Sequence, residues 1–258
     1  MPGKAQAVWT AFGAAVLVFL LSPLVLVVFF SLAENANATF PPGGATLHWY
    51  GVLFDNADFW KALGNSAIVT LSVGLVSMIA GTLAAMALAR SGPRVANGMI
   101  ALITMPIMLP PLVLALALAT SYSSLGLPLG LATVIPSHLV FTQPFVILVV
   151  YAQMAGFNMA IIDSARDLGA GAWTIFRTVI LPIIRPTLIG ATLMAMAVSL
   201  DDFIITYFTI GGGMTLPTMI WGMLRKALDP SINALGSLVL VATIGTSLLA
   251  LRLTRYRG

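Results

Sequence analysis

Asp163-Ser-Ala-Arg-Asp-Leu-Gly169, then nine residues, then Val179-Ile-Leu-Pro182, is the stretch on which the reading of this chain turns. Asp163, Arg166, Asp167 and Arg177 make it a polar island in a sequence that is 59% hydrophobic and only 8% charged. Soluble domains are about a quarter charged, and the mean hydropathy here is +1.02. Water is therefore not the main solvent of this chain. Immediately before the island, from Val95 to Ile162, there is no Asp, Glu, Lys or Arg.

Working outward, Val8–Ala33, Ala62–Ala89 and Pro230–Leu251 are also free of charge, and each exceeds the roughly 20 residues that cross a hydrocarbon core. The run from Val95 to Ile162 is too long for one crossing at about 1.5 Å per residue. Ser121-Tyr-Ser-Ser-Leu-Gly-Leu-Pro-Leu-Gly130 is rich in turn residues, so two spans are expected with a fold-back there. A fifth span is expected from about Pro186 to Ile210, and six in all. The first apolar run contains Pro23, has no small-residue cleavage site and is longer than a signal-peptide core, which predicts a retained helix. No loop is long enough for an independent soluble domain. Residues 1–258 are expected to form one transmembrane domain, with a polar loop at about 155–185.

The basic residues sit at span ends. Lys4, Arg90, Arg94, Arg166, Arg177, Arg185, Arg252, Arg255 and Arg257 fall on the side of the island, against Lys61, Arg225 and Lys226 on the other. The positive-inside rule then places both termini and the island in the cytoplasm. The same distribution accounts for the pI near 9.8 without nucleic acid, which would ask for one basic patch. With no cysteine, disulfides and thiolate metal sites are excluded. His48 and His138 stand isolated in sequence, with no ligand cluster around either. Neither a Walker-type Gly-rich Lys motif nor a nucleophile–base set is present, so no ATP site and no catalysis is expected of this chain.

Within the island, Asn158 can cap a short helix from about Met159 to Leu168, and Gly169 can end it in a left-handed conformation. Trp173, Phe176 and Ile180 then recur at spacings of three and four on a second amphipathic segment. Pro182 and Pro186 are expected to break that segment as the chain re-enters the bilayer. The result is a compact knob, in which Ser164, Ala165, Ala170 and Ala172 let a partner surface come close. An amphipathic loop lying on lipid headgroups has the same pattern. The stretch also resembles the EAA loop of ABC-importer permeases, whose pattern is Glu-Ala-Ala, three residues, Gly, nine residues, Ile, one residue, Leu-Pro. Asp163, Ser164 and Ala165 stand for Glu-Ala-Ala, Gly169 is in place, Val179 stands for Ile, and Leu181-Pro182 close the match. The resemblance implies docking into a groove on a cytoplasmic ATPase, with Asp163, Ser164, Ala165, Gly169, Ala170, Phe176, Leu181 and Pro182 as the coupling residues.

Asp201 and Asp202 lie fifteen residues beyond Pro186, inside the expected fifth span. A carboxylate near the bilayer centre costs on the order of 2.5–3.5 kcal/mol on insertion scales, so the pair asks for a reason. Helix neighbours point about 100° apart, which predicts one acid toward a cavity and the other toward a neighbouring helix or a helix end. A cationic substrate at ~4 Å would gain about 4 kcal/mol before desolvation; a structural pair bonded to backbone or to a partner subunit's Arg fits the residues too. Phe203 and Tyr207 lie within two turns, placed either to stack on a cation or to pack a core. Pro106, Pro110, Pro111, Pro136 and Pro144 interrupt helices where a transport path could use the freed carbonyls; kinking for packing is the favoured expectation. Met214–Leu224 is too short to span and suits an outer gate or re-entrant segment, with Trp221 as an interfacial anchor.

Ser199-Leu-Asp-Asp-Phe203, Gly211-Gly-Gly-Met-Thr-Leu-Pro217 and Asp229-Pro-Ser-Ile-Asn-Ala-Leu235, taken with the island, are similar to the second permease subunit of spermidine/putrescine-type importers over nearly the whole chain. Asp229 and Pro230 also read physically as a helix start. The resemblance implies an all-α, six-span, type I ABC importer permease fold in a bacterial inner membrane, with Asp201, Asp202, Phe203 and Tyr207 along the substrate path. Its implied partners are a dimeric ATP-binding subunit, which holds the ATP and magnesium, a second permease subunit, a periplasmic substrate-binding protein and the lipid bilayer. The alternatives are an ABC permease for another small organic solute, and a cation-coupled secondary carrier titrating at Asp201 and Asp202.

Overall fold

The computed structural model describes residues 3–35, 43–226 and 230–255. Among them the secondary structure is helical, apart from one isolated β-bridge between Ala33 and Ala45. Four helical stretches are long and apolar enough to cross a membrane: Val8–Ser31, Ala57–Arg90, Leu131–Ala155 and Ala172–Asp201. A fifth exists if Pro93–Met108 and Pro111–Ser124 count as one span, though they meet at 98°. The sixth expected span falls in the helix Ser231–Arg255, whose apolar part, Ser231–Gly245, is short for a crossing. The expected cap at Asp229 lies outside the described residues.

The chain divides into two compact units. The first is Met1–Trp60 with Met219–Ser247. In it α1 (Lys4–Ser31) is followed by the short α2 (His48–Asp55). The Ser31 hydroxyl lies 2.8 Å from the Tyr50 hydroxyl, which in turn lies 2.7 Å from the Ser237 hydroxyl, and Trp49 Nε1 donates to the Ala33 carbonyl at 2.8 Å. These bonds hold α2 against the end of α1. Most of the span Val8–Ser31 is exposed, with Ser31 at its end buried, as suits a helix apolar on all sides and solvated by lipid or a partner.

The second unit is Lys61–Thr218 with Leu248–Gly258. Its helices are α3 (Ala57–Arg90), α4 (Pro93–Met108), α5 (Pro111–Ser124), α6 (Leu131–Ala155), α7 (Met159–Asp167), α8 (Ala172–Ile175), α9 (Leu181–Asp201) and α10 (Ile204–Thr209), with a π-turn at Phe176–Ile180. Beyond it come α11 (Leu216–Lys226) and α12 (Ser231–Arg255). The proline effects sort by context. Pro136 and Pro144 are absorbed inside α6, whereas Leu109-Pro110-Pro111 breaks the chain between α4 and α5 more sharply than a kink.

Pro182 and Pro186 do not break the chain, contrary to expectation: α8, the π-turn and α9 run on as one helix from Ala172 to Asp201. Leu181 N–H bonds the Phe176 carbonyl five residues back, and this widened turn lets Pro182, which has no N–H to give, sit at the start of the next segment. The fifth span therefore begins earlier than Pro186 and ends at Asp201 rather than Ile210.

An apolar seam joins these elements. Ala85 of α3, Val146, Val150 and Met154 of α6, Ile162 of α7, Ile175 of α8, Ile180 of the π-turn, and Ile184, Leu188, Ala191 and Ala195 of α9 form one buried cluster. At the other end of α6, Val69, Val73, Val134 and Ile210 form a second, and Leu114, Ala115 and Ile205 a third. Small residues let the helices close up, as membrane helices require. A Cβ at Gly81 would lie 2.7 Å from Val146 Cγ1 and one at Gly74 would lie 2.6 Å from Met196 Cγ. Gly81→Val should therefore force α3 off α6, destabilising the protein by about 1–3 kcal/mol and lowering the thermal midpoint of the purified protein in detergent. An unchanged midpoint would show that α3 and α6 do not pack at this face.

Candidate functional site

The polar loop is built as its sequence suggests at the first helix. Asn158 Oδ1 accepts the Ala160 N–H at 3.1 Å and starts α7. At the other end Gly169 has φ +83°. Its N–H bonds the Arg166 carbonyl at 2.8 Å, and the Ala170 N–H bonds the Ala165 carbonyl at 3.0 Å, the double closure of a Schellman cap. A left-handed residue is needed there, and glycine supplies it without strain.

The eight predicted coupling residues divide into two layers. Ala165, Ala170, Phe176 and Leu181 pack against the buried seam. Asp163, Ser164, Gly169 and Pro182 are exposed. Asp163 pairs with Arg166 at 3.0 Å on the surface, where such a pair contributes little to stability. The Ser164 hydroxyl is turned back to the Ala160 carbonyl at 2.8 Å. Trp173 does not join the buried face expected of it; it is 71% exposed while Phe176 is half-buried and Ile180 buried. Leu168, 88% exposed, was not singled out by its sequence context either. Two large apolar side chains held in the open beside exposed polar ones are what a contact surface requires.

The acidic pair sits at a helix break. α9 ends at Asp201, Asp202 is extended (φ −67°, ψ 122°), and α10 restarts at Ile204. Asp201 is exposed and Asp202 is not, so the two acids do point to different surroundings. Asp202 Oδ2 accepts the Thr206 N–H at 2.8 Å and lies 3.1 Å from the Thr206 hydroxyl, capping the third residue of α10. The same oxygen lies 3.3 Å from His138 Nε2.

His138 is the residue that the sequence reading missed. It is 1% exposed, and both ring nitrogens are engaged: Nδ1 lies 2.7 Å from the Ser199 hydroxyl and Nε2 lies 2.8 Å from the Thr206 hydroxyl. Its isolation in sequence is undone by α9 and α10, which bring partners from 61 and 68 residues away. The available signal was its place in an otherwise uncharged span, since an ionisable residue inside a membrane is a functional candidate by default. A narrow crevice beside it is lined by Ser66, Thr70, Ser199, Asp202, Thr206 and Thr215. Phe203 and Tyr207 lie in tilted contact, ring centroids 5.4 Å apart and planes 43° from parallel, and Tyr207 is 44% exposed. No group of three or more metal-ligating side chains occurs among the described residues.

Comparisons with known proteins give the family. The sequence profile of the family described as "Binding-protein-dependent transport system inner membrane component" matches residues 77–256. The chain is 29% identical over 237 residues to the spermidine/putrescine transport system permease protein PotC of Escherichia coli K12, covering 90% of this chain and 88% of that one. It is 32% identical over 232 residues to the putrescine transport system permease protein PotI of the same organism, covering 87% and 82%. A bacterial ABC transporter that imports alginate matches with a TM-score of 0.74 at 17% identity over 98% of this chain and 97% of its own. The MetNI methionine ABC transporter matches at 0.59 and 18% identity, over 81% and 98%. At such identities the structures speak for the fold alone. With the family profile spanning most of the sequence, this chain belongs to the inner membrane components of binding-protein-dependent transport systems.

Proposed function

We propose that this chain is a permease subunit of an ATP-driven importer of polyamines, working by alternating access. The observation that carries the reading is the rooting of the exposed loop in the membrane helices: Ile162, Ile175 and Ile180 belong to the same buried cluster as Ile184, Leu188, Ala191 and Ala195. A push on the loop cannot be absorbed within a close-packed cluster, so it is passed to α9. Residues 155–185 of a single permease domain spanning 1–258 would then face the cytoplasm, as would both termini. The nine-to-three division of basic residues supports that orientation. A dimeric ATPase, holding ATP and magnesium, docks on Asp163, Ser164, Gly169 and Pro182, with Leu168 and Trp173 as apolar contacts. A second permease completes the path, and a periplasmic binding protein delivers the cargo.

The polyamine reading rests on the similarity to PotC and PotI, permeases of spermidine/putrescine and putrescine transport, and on the acidic break. An exposed carboxylate at membrane depth is too costly to face lipid, so Asp201 belongs on a path or at the partner permease. The last carbonyls of α9 add their partial negative charge at the same end. Asp202, Phe203 and Tyr207 shape the path beside it. Import of another small organic solute is the second reading, since the loop that supports coupling carries no information about the cargo.

Uptake of labelled putrescine and spermidine in a strain lacking the chain tests the cargo. The native chain should restore uptake, and Asp201→Asn should reduce it tenfold or more. Restoration of no polyamine uptake would refute the cargo, and wild-type uptake by both Asp201→Asn and Asp202→Asn would refute the cation site. The coupling role is tested separately by Gly169→Pro. Proline's φ near −65° cannot meet the +83° that this position adopts. The variant should insert normally yet hydrolyse ATP without uptake; wild-type uptake would sink the coupling assignment.

A further inference from the structure

The break between α9 and α10 is bridged by one side chain from a third helix. His138, from the middle of α6, places Nδ1 on Ser199, two residues before the acidic pair, and Nε2 on Thr206, beyond it. The Nε2 edge also lies 3.3 Å from Asp202 Oδ2. One proton arrangement satisfies every group. Nε2–H points to Thr206 Oγ1 and Asp202, the Thr206 hydroxyl donates to Asp202, and the Ser199 hydroxyl donates to Nδ1. Asp202 Oδ2 then accepts from both Thr206 and His138, whereas Asp201 is exposed. Few side chains other than imidazole offer two nitrogens on opposite edges of a rigid ring, and the ring is locked by burial and by Phe141, 5.3 Å away.

We propose that His138 is a positioning residue for cation transfer: it pins both flanks of the break, keeps Asp202 turned in as the cap of α10, and so leaves Asp201 as the carboxylate presented to the cation. This rests on the reading of the chain as a polyamine permease. Loss of the imidazole lets the break relax and Asp202 compete for the outward position, so that the path loses its single, fixed acceptor. ATP-driven cycling continues, but less cargo crosses per cycle.

The test uses the complete importer in liposomes with saturating binding protein, and reads putrescine moved per ATP hydrolysed. A purely structural defect lowers uptake and hydrolysis together and leaves that ratio alone. His138→Ala should lower the ratio threefold or more. His138→Gln, whose amide reaches the Nε2 position toward Thr206 and Asp202, should keep at least half of it. His138→Asn, whose amide reaches only the Nδ1 position toward Ser199, should behave like the alanine variant. An unchanged ratio in His138→Ala, or asparagine equal to or better than glutamine, overturns the proposal; the Gln and Asn comparison decides alone if the alanine variant does not assemble. An importer whose native form moves no polyamine refutes the cargo instead. The positioning is then read from Asp201→Cys in this naturally cysteine-free chain, using a cationic thiol reagent. Labelling should slow threefold or more in the His138→Asn background relative to His138→Gln, and equal rates overturn the proposal.

Discussion

The continuity of apolar packing from Ile162 in the loop to Ala195 deep in α9 is the constraint on which the other features depend. Helices in a bilayer gain no hydrophobic energy from meeting each other, so they hold together by close van der Waals packing. Here that packing does not stop where the membrane helices emerge. Ile175 and Ile180 carry it along the helix that runs unbroken from Ala172 to Asp201. The loop is thereby a rigid extension of the fifth span rather than a tether to it. Gly169 turns the chain at the outer edge, and the small residues beside it leave room for a partner. A motor acting there has a stiff element to act upon.

The other end of the same helix is built on polar chemistry. A helix that stops inside a membrane leaves carbonyls and N–H groups without partners, at several kcal/mol each unless something satisfies them. Asp202 and Thr206 satisfy part of that need at the start of α10, and His138 ties the two flanks together. The break therefore has a defined geometry, and Asp201 has a defined exposure. Discontinuous helices of this kind expose backbone partial charges and side chains where a solute passes. Loop and break lie at the two ends of one helix; under the proposed function the first receives force and the second meets cargo.

Much of this was legible in the sequence, and the limits have physical causes. Charge-free runs of sufficient length give spans because the bilayer admits little else, and Asn158 and Gly169 give the ends of α7 because capping is local. Pro182 misled because its lack of an N–H is local too, while the π-turn that accommodates it depends on the packing of Phe176 and Ile180. Pro110 and Pro111 produced a 98° break where a kink was expected, since two adjacent prolines deny consecutive N–H groups to the helix. His138 could not be placed because its partners come from distant helices. Helix spacing divides the acidic pair in orientation, but that Asp202 both caps α10 and lines the crevice while Asp201 is exposed depends on the distant partners of the break.

Reconstitution decides whether this chain moves cargo only when driven through its loop. The purified chain alone, and the complete importer with its ATPase, second permease and binding protein, are placed in separate liposomes, and uptake of labelled putrescine is followed with and without ATP. ATP-dependent uptake is expected of the complete importer, and none of the chain alone under any ion gradient. Gradient-driven uptake by the isolated chain would contradict this expectation.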